Sequence, residues 1–254
     1  MDAALAPIGS FNYRGREYPV WSSFEASYKP EDSVTGKFNR YAKIGKLADE
    51  IVERLMEEIE KDPLSEEGRM AYASLLMMQY GIRVGNEDSA EGYESQLPDN
   101  LGEFVQTYGV TTLLPEHVKI DNGAMTLDFL GKKQVGQSIK ITDPELVKLG
   151  EVYLTNPKSH TWLGVDLGKL TYFIKHMFGP NFIPKDLRSF AANTAAFDLM
   201  RPYLDKKMTP EEAKATMKNV VEGTAKVLGN TPAVTKSAYL DGRMLDWFVD
   251  RIKI

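Results

Sequence analysis

The chain of 254 residues contains no cysteine, which excludes a disulfide framework, cysteine-ligated zinc and a thiol nucleophile. Histidine is scarce too: His117, His160 and His176 lie far apart without metal-ligand spacing, and each reads as a surface or packing residue. No G-x-x-x-x-G-K-[ST] or G-x-G-x-x-G segment exists to cradle nucleotide phosphates, and there is no G-x-S-x-G elbow. Long apolar runs are missing, and the first twenty residues lack a basic stretch followed by an apolar one. A soluble intracellular protein with no membrane segment, no metal and no cofactor is the expectation. Net positive charge is also lacking. The formal charge is −5, unlike the usual nucleic-acid-binding domain. Charge is unevenly placed, however. Acidic residues concentrate at 49–60 and 88–103, whereas Lys132, Lys133, Lys140, Lys185, Arg188 and Lys236 fall in other segments that can share one face.

What is present is mainly helix. Residues 1–38 are mixed, with no sustained period, and read as irregular or short-stranded. From Tyr41 onward, Ile44, Leu47, Ile51, Leu55 and Ile59 recur at helical spacing with an acidic opposite face. Pro63 and Ser65 start a second helix, apolar almost all round and hence buried. It delivers Arg83 at its end, where a buried cation needs either an internal carboxylate such as Glu87 or a ligand phosphate. Residues 89–105 read as an acidic loop with one helical turn. Short β-like runs are expected at 109–113, 117–120 and 125–130. Asp121, Asn122 and Gly123 make a hairpin turn between the last two. The alternating run 135–141 follows, which makes Gly131, Lys132, Lys133 and Gln134 a hairpin tip able to carry a lysine to a ligand.

Everything after Thr142 reads as helix. Asp143 with Pro144, Asp166, Pro184, and Thr209 with Pro210 and Glu212 mark helix starts, and Gly179 marks an end. Lys185 and Arg188 share one helix face. In VLGNTPAVTKSAYLD, at 227–241, Gly229, Asn230 and Pro232 end one helix and start another, so Tyr239 sits on a short segment re-aimed by a sharp turn. The fold class expected is α+β, mainly α, with one small antiparallel three-stranded sheet.

Five segments occur in order: IRVGNED at 82–88, YGVTTLLPEHV at 108–118, LDFLGKKQV at 127–135, KDLRSFAANT at 185–194 and LGNTPAVTKSAY at 228–239. Together they resemble the catalytic domain of type IB DNA topoisomerases, particularly the small poxviral and bacterial branch, over about residues 40–241. The resemblance implies the helical fold shared by topoisomerase IB enzymes and tyrosine recombinases, with residues 39–254 as the catalytic domain and 1–38 as a remnant or replacement of a clamp domain. It implies that Tyr239 attacks a DNA phosphodiester to give a 3′-phosphotyrosyl intermediate, and that supercoils relax without ATP or metal. A free phenol ionises near pH 10, an obstacle of roughly 4 kcal/mol at neutrality that cationic neighbours reduce. Arg83 and Arg188 fit that need and would hold the non-bridging oxygens. Lys132 would be the acid for the 5′-oxygen, supported by Lys185. Asn230 stands where poxviral enzymes have histidine and would donate a hydrogen bond to a non-bridging oxygen. Lys185, Lys133, Thr111, Thr112 and Lys236 would face the DNA.

The resemblance further implies double-stranded DNA as partner, a monomer, and a cytoplasmic, nucleoid or virus-associated setting. Two departures stand out. Only about 40 residues precede the core, where relatives carry a β-rich clamp. This expects either a minimal enzyme, or a clamp that was lost or lies on another protein. The acidic stretch 89–105 is longer than in that pattern and would point away from DNA or act as a gate. The alternatives are a tyrosine recombinase or integrase, which favours H-x-L-R and L-G-H where this chain has KDLR and LGN, and a non-catalytic DNA-binding relative.

Overall fold

The computed structural model describes residues 7–13, 16–21 and 48–252. The chain divides into two compact units, one of Glu53–Lys185 and one of Met1–Val52 with Asp186–Ile254. The domain boundary expected at 38/39 and the helical residues Tyr41, Ile44 and Leu47 lie outside the described residues.

Helix α1 (Ala48–Lys61) buries Ile51, Val52, Leu55, Met56 and Ile59 and turns its glutamates outward. In the unit of residues 53–185, α2 (Glu66–Tyr80) is capped by Ser65, whose hydroxyl accepts from the Gly68 amide at 3.0 Å, and it ends at Gly81 in the left-handed region. Buried Arg69 on this helix is satisfied without a carboxylate. It donates to the carbonyls of Leu64, Leu163 and Asn156 and stacks on Tyr153, and burial lowers its pKa. Such full pairing is what makes a buried cation tolerable. The Tyr72 hydroxyl of the same helix donates to Leu146 O of α4 (Pro144–Thr155) at 2.7 Å. Asp143 caps α4 and Asp166 caps α5 (Leu167–Phe178), as the sequence expects.

Between α2 and α4 lie the short helix α3 (Glu87–Glu91), the two-residue strands β3 (Tyr93–Glu94) and β4 (Phe104–Val105), and an antiparallel sheet of β5 (Val118–Asp121), β6 (Ala124–Gly131) and β7 (Val135–Ile141) in that order. Met125, Leu127 and Phe129 alternate into the core. Asn122 and Gly123, at φ 50° and 73°, make the expected tight turn. Two expectations need correction. The acidic stretch 89–105 holds the paired strands β3 and β4. The run 109–113 is no strand. Gly109 O accepts the amides of both Thr112 and Leu113 at 2.9 Å, so the run closes into a turn despite its β-branched residues.

The other unit opens with the antiparallel hairpin β1 (Pro7–Tyr13) and β2 (Arg16–Trp21). It continues with α6 (Pro184–Met200), which begins two residues before the unit boundary, then α7 (Pro210–Leu228), α8 (Pro232–Ala238) and α9 (Gly242–Ile252). Thr209 and Glu212 form the expected capping box at the start of α7. Ala192, Ala196, Met200, Val220, Leu228, Leu240, Met244 and Phe248 pack into one core, with Tyr239 among them. No helix of the described residues is long and apolar enough to cross a membrane.

Candidate active site

The site residues fall into two groups, one in each unit. In the unit of residues 53–185, Arg83 follows the left-handed cap at Gly81, on a turn that the second motif locks in place. Arg83 O accepts from the Val110 amide at 2.7 Å, and Val84 O accepts from the Thr111 amide at 2.8 Å and its hydroxyl at 2.7 Å. A Cβ on Gly109 would come within 2.6 Å of Arg83 O and of the Gly85 Cα, and one on Gly85, at φ 103°, would meet the Thr111 and Thr112 hydroxyls. IRVG and YGVTT are therefore two halves of one interlocked backbone, and glycine is required where they touch. Thr111 and Thr112 are buried, with hydroxyls spent on Val84 O and on the Gly109 backbone.

Lys132 and Lys133 are exposed at the tip joining β6 to β7, with Lys133 in the left-handed region at φ 60°. They line, with half-buried Arg83, a cavity of about 600 Å³ whose wall also includes Asn86, Ser89, Tyr93, Gln96 and Tyr108. Burial, with Glu116 nearby, pushes the Tyr108 phenol up, so it stays a neutral donor on that wall. Lys185 is exposed in the first turn of α6.

In the other unit, Arg188 is 3% exposed and Tyr239 6%. The Arg188 guanidinium carbon lies 5.1 Å from the centre of the Tyr239 ring, and its Nη2 donates to Leu228 O, the last carbonyl of α7. A cation at that position meets both the negative face of the ring and the negative end of the helix. Gly229, at φ 57°, ends α7, and half-buried Asn230 follows, its amide donating to Ala225 O at 2.9 Å. Thr231 caps α8, Pro232 starts it, and Tyr239 closes it with its amide on Thr235 O. Lys236 is exposed on α8.

The sequence reading missed Asn193. Fully buried on α6, it donates to Tyr239 O at 2.8 Å and to Ser189 O at 2.7 Å, and accepts from the Asp241 amide at 2.9 Å. It thus fixes the backbone on either side of Leu240. Its one sequence signal is an amide among the alanines of KDLRSFAANT. Asp241, also buried, caps α9 through the Arg243 amide and is paired with the Arg243 guanidinium at 2.8 to 3.2 Å. Among the described residues no group of three or more His, Asp or Glu is placed to hold a metal ion.

A mainly helical chain with one three-stranded sheet, an arginine stacked on a tyrosine at the end of a short helix, and lysines on a hairpin tip has the fold class of the type IB topoisomerase catalytic domain. The family model for the catalytic core of eukaryotic DNA topoisomerase I matches residues 26–246, and the chain belongs to that family. It is also similar to the DNA topoisomerase 1B of Acanthamoeba polyphaga mimivirus, with 28% identity over 205 residues, covering 73% of this chain and 56% of that protein. The chain therefore spans little more than half the length of that relative.

Proposed function

We propose that residues 39–254 act as a monomeric type IB DNA topoisomerase domain that relaxes supercoiled duplex DNA, in the cytoplasm, a nucleoid or a virus-associated setting. The Tyr239 hydroxyl attacks a backbone phosphorus, the phenolic proton leaves to solvent, and the P–O5′ bond breaks. The departing 5′-oxygen takes a proton from the Lys132 ammonium, supported by Lys185. Reversal religates the strand, and because the phosphotyrosyl bond keeps the energy of the diester, neither ATP nor metal is consumed. Arg83 and Arg188 stabilise the charge of the pentacoordinate phosphorus through paired N–H groups, and Asn230 donates to a non-bridging oxygen. Lys133 and Lys236 contact DNA phosphates directly. Thr111 and Thr112 contribute through the turn that carries Arg83.

The observation that carries this reading is the stacking of Arg188 on Tyr239, because it brings together the cation and the nucleophile that two separate sequence motifs supply. Supercoiled plasmid of arbitrary sequence, incubated with the protein in EDTA without ATP, should relax. A denaturant-resistant protein–DNA adduct should be trapped, and Tyr239→Phe should reduce both by roughly 10⁴-fold or more. Strand exchange confined to a paired specific site would replace the topoisomerase with a recombinase. An unchanged Tyr239→Phe protein would leave a DNA-binding module.

A further inference from the structure

The acidic stretch joining the Arg83 turn to the next motif carries Asp88, Glu91, Glu94, Asp99 and Glu103 and would be repelled by DNA, yet it is built as a closed unit. Beyond the β3–β4 pairing, the Ser95 amide donates to Glu103 O at 2.7 Å and the Gly102 amide to Ser95 O at 2.9 Å. One side of this unit grips the tip that bears Lys132. The Ser95 hydroxyl donates to Asn100 Oδ1 at 2.7 Å, Asn100 Nδ2 donates to Gln134 Oε1, and Gln134 Nε2 donates back to the Ser95 hydroxyl at 2.7 Å. Ser95 is fully buried, and its oxygen also accepts the Leu97 amide at 3.1 Å. Every link in this three-membered ring runs donor to acceptor in one sense, so each bond polarises the next.

What the ring holds is a strained backbone. Lys133 and Gln134 both have φ of 60°, the left-handed region that residues other than glycine avoid. Relief of that conformation would swing the tip, and Lys132 with it. The exit of the acidic stretch is tied to the same hairpin, since the Tyr108 amide donates to Leu130 O at 2.8 Å.

We propose that the acidic stretch is a brace, and that Ser95, Asn100 and Gln134 are positioning residues that hold Lys132 on the cavity it shares with Arg83. The proposal rests on the reading of Lys132 as the acid for the 5′-oxygen, and its test separates the two. Single-turnover cleavage is measured on a duplex with either an ordinary diester or a 5′-bridging phosphorothiolate at a site mapped from plasmid adducts. A thiolate leaves without a proton, so loss of the acid is bypassed. Lys132→Ala should be slow on the diester and near normal on the phosphorothiolate. Gln134→Ala, Asn100→Ala and Ser95→Ala should slow the diester by about 10- to 100-fold, the scale of a misplaced catalytic group, and recover in the same way.

Adding Gln134→Ala to Lys132→Ala should cost nothing more. A Lys132→Ala protein slow on both substrates would refute the acid role alone, because the double variant still reads whether the brace acts through Lys132. Equal slowing of the brace variants on both substrates with additive loss in the double variant, or no slowing at all in proteins of unchanged circular dichroism, overturns the brace.

Discussion

The two units mount their cations in opposite ways. Arg83 and Lys132 stand at an open cavity: a left-handed cap and two interlocked backbone turns hold Arg83, and a hairpin tip tied down by Ser95, Asn100 and Gln134 carries Lys132. Arg188 lies buried on the Tyr239 ring with its guanidinium on the end of α7. Around Arg83 the geometry survives loss of the side chain, because glycine contacts and peptide hydrogen bonds create it. In the second the side chains are themselves the packing, so chemistry and stability depend on the same atoms.

Paired substitutions sharpen this contrast most. Arg83→Ala and Arg188→Ala should each slow DNA cleavage by about 10²- to 10³-fold, as expected when one preorganised donor to a transition-state oxygen is lost. Their stabilities should diverge. Arg188→Ala removes a ring contact and a charged hydrogen bond and leaves Leu228 O unsatisfied, at a cost of about 2–4 kcal/mol. Arg83→Ala, at the cavity, should stay within about 1 kcal/mol of the parent. Urea unfolding beside single-turnover cleavage decides it, and equal destabilisation would break the contrast.

Asn193→Ala should fall next in size. It touches no proposed substrate group, yet it leaves Tyr239 O and the Asp241 amide without their partner in a buried place, at about 2–3 kcal/mol. Cleavage should slow because the nucleophile loses its fixed backbone. Asn193→Asp should not rescue it, since a carboxylate accepts from Asp241 but cannot donate to Tyr239. A stability loss with cleavage unchanged would show that the α8–α9 junction positions Tyr239 without Asn193.

Helix starts and ends were readable because local chemistry sets them: Ser65, Asp143, Asp166, Thr209 and Gly229 each cap by contacts within a few residues. The sheet from Val118 and the tip at Lys132 were readable from alternation and turn residues. The run 109–113 was misread because its β-branched residues suit a strand, while the decisive contact, with Arg83 and Val84, comes from some 27 positions away. Asn193 and the ring of Ser95, Asn100 and Gln134 were invisible for the same reason. An amide's partners lie up to 48 residues off, and no periodicity marks them. The catalytic candidates were legible only as motifs. That Arg188 touches Tyr239 while Arg83 shares a cavity with Lys132 required coordinates.

The smallest effect concerns the sheet that carries the tip, and it tests whether the first unit depends on backbone even in its titrating groups. His117 Nδ1 accepts the Leu114 amide at 3.0 Å, and the His117 amide returns a bond to Leu114 O at 3.0 Å, just before β5. Its ring packs on Tyr108 at 4.3 Å. Only neutral imidazole can accept there, and burial lowers the pKa below the usual histidine value against the opposing pull of Glu116. With the folded pKa depressed, the unfolded chain binds more protons between the two values, so stability rises with pH there. The contribution is complete above about pH 6.5, the unfolded value, and is lost as pH falls through the folded one. His117→Ala should therefore cost about 1 kcal/mol at pH 7.5, and the gap to the parent, followed by urea unfolding, should narrow as the pH falls below about 6.5. A gap that stays constant across that range would mean the ring serves as packing against Tyr108, and the start of β5 would then be held by side-chain burial, as Tyr239 is in the other unit.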